Sequence, residues 1–108
     1  MSYKIVAVAT FRKDAKRLIK KYPSLQKELQ ELGSELSENP VLGTPIGHSC
    51  YKIRLSIASK GKGKSGGARV ITYVFVEGKA VYLLSVFDKS EQGSISNKEL
   101  LQLLKEVQ

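Results

Sequence analysis

The sequence predicts an α+β domain with the element order βααβββα, and three observations carry that expectation. Residues 51–57, 68–76 and 80–87 read as three consecutive β-rich runs. Two stretches of helical period stand between a separate first strand, residues 3–9, and those three runs. A well-capped helix closes the chain. Runs of strands and helices segregated in this way fold as α+β layers, here a helical hairpin and a C-terminal helix packed on a small, largely antiparallel sheet.

Each element has a local reason. In residues 3–9, Tyr3, Ile5, Ala7 and Ala9 share one face, with Val6 and Val8 on the other, so both faces are apolar enough to be covered. Thr10 is the expected N-cap of a helix starting at Phe11. There Phe11, Ala15, Leu18, Ile19 and Tyr22 recur at helical spacing, and Arg12, Lys13, Lys16, Arg17, Lys20 and Lys21 cover the rest of the cylinder. Pro23 and Ser24 start a second helix, with a stripe of Leu25, Leu29, Leu32 and Leu36 that Asn39-Pro40 ends. Residues 40–50 hold two prolines and two glycines and read as a loop. Tyr51, Ile53, Leu55 and Ile57 alternate with Lys52, Arg54 and Ser56. Residues 59–67 are a basic glycine loop, and Glu77-Gly78 joins the last two strands as a hairpin. Ser96 and Glu99 form a capping box, and Ile95 with Leu100 forms a hydrophobic staple.

One hundred and eight residues make one domain, 1–108, with a single core. The composition, 42% hydrophobic and 26% charged, is that of a globular chain. No apolar run reaches the roughly 18 residues of a membrane helix, and Met1-Ser2-Tyr3-Lys4 lacks the layout of a secretory signal. A cytoplasmic, membrane-free location is expected. One cysteine, Cys50, rules out an internal disulfide framework. With His48 the only histidine, no ordinary His/Cys zinc site can be built. No metal and no cofactor is expected.

The net charge is +8 and unevenly placed. Residues 1–21 carry seven bases and one acid, and residues 51–69 carry six bases and no acid. Such blocks repel themselves, and a polyanion, nucleic acid first, is the partner that relieves them. Lys52 and Arg54 project from one strand face about 6.8 Å apart, a spacing that suits two adjacent phosphates; a solvated sheet face is the plainer alternative. Arg69 opens the next strand and can extend that row with a bidentate fork. In the loop, Lys60, Lys62 and Lys64 alternate with glycines that let backbone N–H groups approach an anion. Gly63-Lys64-Ser65 is not a Walker A loop, because position 58 is alanine. Phe87 stands either to stack on a base or to fill the rim of the core. His48 is expected at the surface and Cys50 in the core. One histidine supports no Ser-His-Asp or Cys-His constellation.

The chain resembles the RelE/ParE superfamily of bacterial toxins, and within it the HigB-like branch. The resemblance rests on Phe11 with the basic helix and Lys20-Lys21-Tyr22, Leu36 with Asn39-Pro40 and Gly43, Tyr51-Lys52-Ile53-Arg54, the run from Gly61 to Arg69, and Val86-Phe87-Asp88-Lys89-Ser90-Glu91. It implies the toxin of a type II toxin–antitoxin module, an mRNA interferase that inhibits translation and causes growth arrest. Such a toxin is a metal-independent endoribonuclease that enters the ribosomal A site and cuts mRNA by attack of a 2′-OH on the adjacent phosphate. By motif position the catalytic residues are Lys52, Arg54, Arg69 and Lys89. Phe87, Lys60, Lys62 and Lys64 would bind substrate. Arg12, Lys13, Lys16, Arg17, Lys20 and Lys21 would bind ribosomal RNA. The tyrosine that some members carry near the last helix has no counterpart, since residues 92–96 are Gln, Gly, Ser, Ile and Ser. The general base is therefore unassigned, and a lysine among neighbouring cations could serve. The implied partners are the ribosome, with its rRNA and mRNA, and a HigA-like antitoxin with a helix-turn-helix domain. The same fold also allows a ParE-like gyrase inhibitor or a non-catalytic RNA-binding module.

Overall fold

A computed structural model describes residues 2–61 and 66–107. Strand β1 (Lys4–Ala7) leads into helix α1 (Ala9–Lys21), and Tyr22–Ser24 turn the chain into α2 (Leu25–Glu38). Strands β2 (Thr44–Gly47), β3 (Cys50–Leu55), β4 (Ala68–Phe75) and β5 (Ala80–Asp88) follow, and α3 (Asn97–Leu104) comes last. The five strands form one mixed sheet in the order β1-β5-β4-β3-β2. Only β1–β5 is a parallel pair, which explains why β1 stands apart in sequence from its neighbour. The α+β class and the order of the long elements are as the sequence predicts, with one added strand.

That strand, β2, falls in the stretch read as a loop. Pro45 and the flanking glycines mask it, yet an edge strand tolerates proline, whose missing N–H costs nothing on the open side. It pairs with β3 through Thr44–Lys52, Pro45–Tyr51 and Gly47–Cys50. His48 and Ser49, at φ 55° and 60°, form the two-residue turn between them. A second correction concerns α1, which starts at Ala9 with Val8 as its N-cap residue. Thr10 lies inside the helix, and its backbone N–H donates to Glu106 at 3.0 Å. At α3 the expected capping box is present: Ser96 Oγ accepts from the Glu99 N–H at 3.1 Å, and the Glu99 carboxylate accepts from the Ser96 N–H at 3.1 Å.

The core lies between the helical pair and one sheet face. Phe11, Ala15 and Leu18 of α1 and Leu25, Leu32 and Leu36 of α2 are buried, as the helical spacing predicts. On the sheet, Ile53, Val70 and Val86 are buried on the face towards them. Burial pushes the Cys50 thiol up to about 11. The opposite face carries α3 across part of its area, with Leu100 buried beneath it. No helix among the described residues is long and apolar enough to cross a membrane.

Candidate functional site

Strand register decides what each sheet face presents. Leu55, Ala68 and Asp88 are cross-strand partners on β3, β4 and β5. Asp88 accepts a hydrogen bond from the Tyr22 hydroxyl at the end of α1 at 2.9 Å, so this row faces the helices. Side chains alternate along a strand. The next row, Arg54, Arg69 and Phe87, therefore faces the other way. Lys52 lies two residues along β3, opposite Ile71, on that same open face. Lys89 continues β5 beyond Asp88, and its backbone N–H donates to the Gly67 carbonyl at 3.0 Å. Of the expected site residues, Arg54 and Arg69 are thus adjacent, Lys52 of β3 shares their sheet face, and Lys89 stands just past β5.

Arg54 and Arg69 are direct cross-strand partners, which places their Cα atoms about 4.5–5.5 Å apart. Like charges opposite one another repel across a sheet. Arg69 is 4% exposed and Arg54 is exposed. Burial, and then the Arg54 charge, lower the Arg69 pKa. The guanidinium nevertheless stays a cation at neutral pH. It also donates to the Ala68 carbonyl at 3.0 Å, which fixes its fork beside the strand. Among the described residues, Lys52, Arg54 and Lys89 form no ion pair. The result is a set of cations on one sheet face, with Arg69 buried and Arg54 exposed.

The profile of the RelE family, described as the RelE toxin of the RelE/RelB toxin–antitoxin system, matches residues 3–107. This chain belongs to the RelE toxin family. Solved structures agree on the fold. A double arginine-to-alanine mutant of Escherichia coli toxin RelE in the free state is similar over 98% of this chain and 94% of its own, at 19% identity and a TM-score of 0.63. The RelBE2 toxin–antitoxin complex of Mycobacterium tuberculosis gives 82% and 99%, at 19% identity and 0.62. The intact E. coli RelBE toxin–antitoxin complex gives 81% and 96%, at 22% identity and 0.61. The chain is thus, by family, a toxin of a toxin–antitoxin module.

In this RelE-family chain the remaining candidates divide. Lys60 is paired with an acid of the chain. Its ammonium is bonded to the Asp88 carboxylate and lies 3.1 Å from Ser90 Oγ, with the side chain 8% exposed, on the helix side of the sheet. That cation is thus paired within the fold. Phe87, the cross-strand partner of Arg69, is buried to the same extent as that arginine, both at 4% exposure, and belongs to the hydrophobic core cluster. Lys62 and Lys64 lie outside the described residues. On α1, Arg12, Lys13, Lys16, Arg17, Lys20 and Lys21 are exposed. Arg17 and Lys21 share Glu91 at 3.2 and 3.6 Å, and Arg12 donates to the Ala7 carbonyl.

Asp88 is the residue that sequence reasoning missed. It is fully buried. Its carboxylate also accepts from the Ser90 N–H at 3.0 Å and the Ser90 hydroxyl at 2.8 Å. Burial alone would raise its pKa, but the bonds from Lys60, Ser90 and Tyr22 outweigh it and hold the group well below the usual carboxylate range. The available signal was an acid closing a long apolar strand, downstream of an acid-free basic stretch. Ser24 and Glu28 reinforce the same corner: Ser24 Oγ accepts from the Ser59 N–H at 2.9 Å, and Glu28 accepts from the Ala58 N–H at 2.8 Å.

Proposed function

We propose that this protein is a ribosome-dependent mRNA endonuclease of the HigB-like branch, acting in the cytoplasm on mRNA in the ribosomal A site. The observation that carries this reading is the gathering of Arg54 and Arg69, direct cross-strand partners, with Lys52 on the same sheet face and Lys89 just past β5.

The chemistry is that which the family resemblance implies. The 2′-oxygen of one nucleotide forms a bond to the adjacent phosphorus, and the bond from phosphorus to the 5′-oxygen breaks. The products are a 2′,3′-cyclic phosphate and a 5′-OH. The phosphorane between them is dianionic. Arg69, with its fixed fork, and Arg54 stabilise it, which is electrostatic catalysis by preorganised donors. Lys52 and Lys89 flank the pair and supply further charge and proton transfer: the 2′-OH proton leaves and the 5′-oxygen gains one. The chain's own cations thus do the work of charge stabilisation without a metal. The exposed bases of α1 hold ribosomal RNA, and a HigA-like antitoxin with a helix-turn-helix domain neutralises the toxin by covering the cationic face.

The test is primer extension on mRNA after brief induction. Discrete cuts in translated frames are expected. Arg69→Ala is expected to lower cleavage by about 10²–10³-fold and to abolish growth arrest, with an unchanged circular dichroism spectrum. Arg69→Lys, which keeps the charge and loses the fork, should retain only part of the rate. Full toxicity of soluble Arg69→Ala protein overturns the assignment, and DNA damage without RNA cuts overturns the endonuclease.

A further inference from the structure

The residues that close the last strand point in different directions. Asp88 ends β5 on the helix side of the sheet, fully buried. One oxygen of its carboxylate takes Lys60 Nζ, the Ser90 N–H at 3.0 Å and the Ser90 hydroxyl at 2.8 Å, and the other takes the Tyr22 hydroxyl at 2.9 Å. Four donors match the roughly four lone-pair sites of a carboxylate, and none is left over for a substrate proton. Two backbone bonds tighten the same turn, since the Glu91 and Gln92 N–H groups both donate to the Asp88 carbonyl at 3.0 Å. The Glu91 carboxylate then reaches α1, 3.2 Å from Arg17 and 3.6 Å from Lys21.

Lys89 stands inside this lock. Its backbone N–H is held at 3.0 Å by the carbonyl of Gly67, just before β4, and its two neighbours are bonded to each other through the Asp88 carboxylate. Its ammonium forms no ion pair among the described residues. It lies 3.8 Å from where a Cβ on Gly93 would stand, and Ser94 and Ile95, next along the chain, line one cavity with Lys52. The turn thus delivers Lys89 toward the sheet face that carries Lys52.

Resting on the function proposed above, we infer that Asp88 is a positioning residue for the cleavage: its carboxylate locks the Asp88–Ser90 turn and so sets where the Lys89 ammonium stands beside the scissile phosphate. A lysine ammonium swings on a flexible four-carbon stem, and a displacement of about 1 Å at a reacting group can cost about 10²-fold in rate. Fixing the main chain on both sides of Lys89 removes the share of that freedom that a loose strand end would add. Asp88 is buried on the opposite side of the sheet from the RNA, so its effect on the rate passes through Lys89.

The test is a double-mutant cycle on the full chain, read as single-turnover cleavage on programmed ribosomes. Ser90→Ala, at an exposed position, deletes one bond to the carboxylate and leaves Lys60 paired. It should slow cleavage about 10-fold with ribosome binding unchanged. Added to Lys89→Ala it should cost nothing further, because no ammonium is left to misplace. Added to Lys52→Ala it should cost the same factor as in wild type, since β3 places that lysine. Asp88→Asn should slow cleavage more than Ser90→Ala, with the same dependence on Lys89. Amide hydrogen exchange reads the lock without cleavage. The Lys89 N–H should exchange faster in both variants, and in Ser90→Ala the amides in the middle of β5 should keep their rates. Equal losses in the wild-type and Lys89→Ala backgrounds overturn the positioning role, and so does Lys89 exchange that is unchanged in both variants. A wild type that cuts nothing on ribosomes overturns the endonuclease and the role resting on it together; faster Lys89 exchange in the variants then shows the lock to be a feature of the fold alone.

Discussion

Asp88 and Lys60 show how a single buried ion pair can organise the end of a sheet. Asp88 is fully buried and Lys60 nearly so, and Tyr22 and Ser90 complete the carboxylate's bonding. The Lys60 ammonium also sits 5.7 Å above the Tyr22 ring, a cation–π contact. Removing one partner leaves the other charged in a dry place, so Lys60→Met should cost about 3–5 kcal/mol in urea unfolding. The pair also sets an acid limit. Its stabilisation is complete above the unfolded carboxyl pKa of about 4 and is lost as the pH falls toward the depressed folded value. Wild type should therefore lose stability steeply below about pH 4, and Lys60→Met should show a shallower fall, measured as the urea midpoint against pH. Thr72 argues the opposite case. It is fully buried, and its hydroxyl has no hydrogen-bond partner among the described residues. Thr72→Val keeps the shape, removes the unsatisfied hydroxyl, and should raise stability by about 1–3 kcal/mol.

Among the elements, the β2–β3 hairpin is where local preference and observed conformation disagree most. Gly47, His48 and Ser49 run in succession at φ 93°, 55° and 60°. Left-handed backbone costs a non-glycine residue about 1–2 kcal/mol, and a turn of this kind prefers glycine at its second position. Ser49→Gly should raise the thermal midpoint by a few degrees, while Ser49→Val should lower it; an equal response to both would mean the turn is not under strain. The same hairpin marks the limit of what was legible in the sequence. The capping box at Ser96 could be read directly because its signal is local, four residues with defined roles. The leucine stripe of α2 could be read because helical period survives in any context. Strand β2 could not, because a four-residue edge strand holding a proline is made by its partner. Thr10 misled for a related reason. A helix capped by extended backbone at Val8 starts two residues earlier, and Thr10 then finds its partner 96 residues away in Glu106. The row of Lys52, Arg54 and Arg69 was legible from alternation plus hairpin pairing, whereas the fate of Lys60 depended on an acid that strand order alone brings near.

At the scale of the whole molecule the net charge is +8, and two clusters of cations stand out among the described residues. One is the row on the sheet. Those of α1 sit outside, and they differ among themselves: Arg17 and Lys21 are partly neutralised by Glu91, while Lys13, Lys16 and Lys20 form no ion pair among the described residues. If α1 anchors the protein on RNA through phosphates, its contribution is released counterions, which appear as a salt dependence. Each lost phosphate contact should flatten the plot of log affinity against log salt by about 0.7. Changing Lys13, Lys16 and Lys20 together to Gln should therefore flatten the slope for ribosome binding by about 2. It should leave the single-turnover cleavage rate of pre-bound complexes unchanged, because none of the three reaches the open sheet face. Arg17→Gln alone should change the slope less than Lys13→Gln, since Glu91 already offsets part of its charge. A slope that stays put while the cleavage rate falls would move α1 from anchoring into the chemistry. Binding weakened equally at all salt concentrations would mean that α1 contributes shape rather than charge.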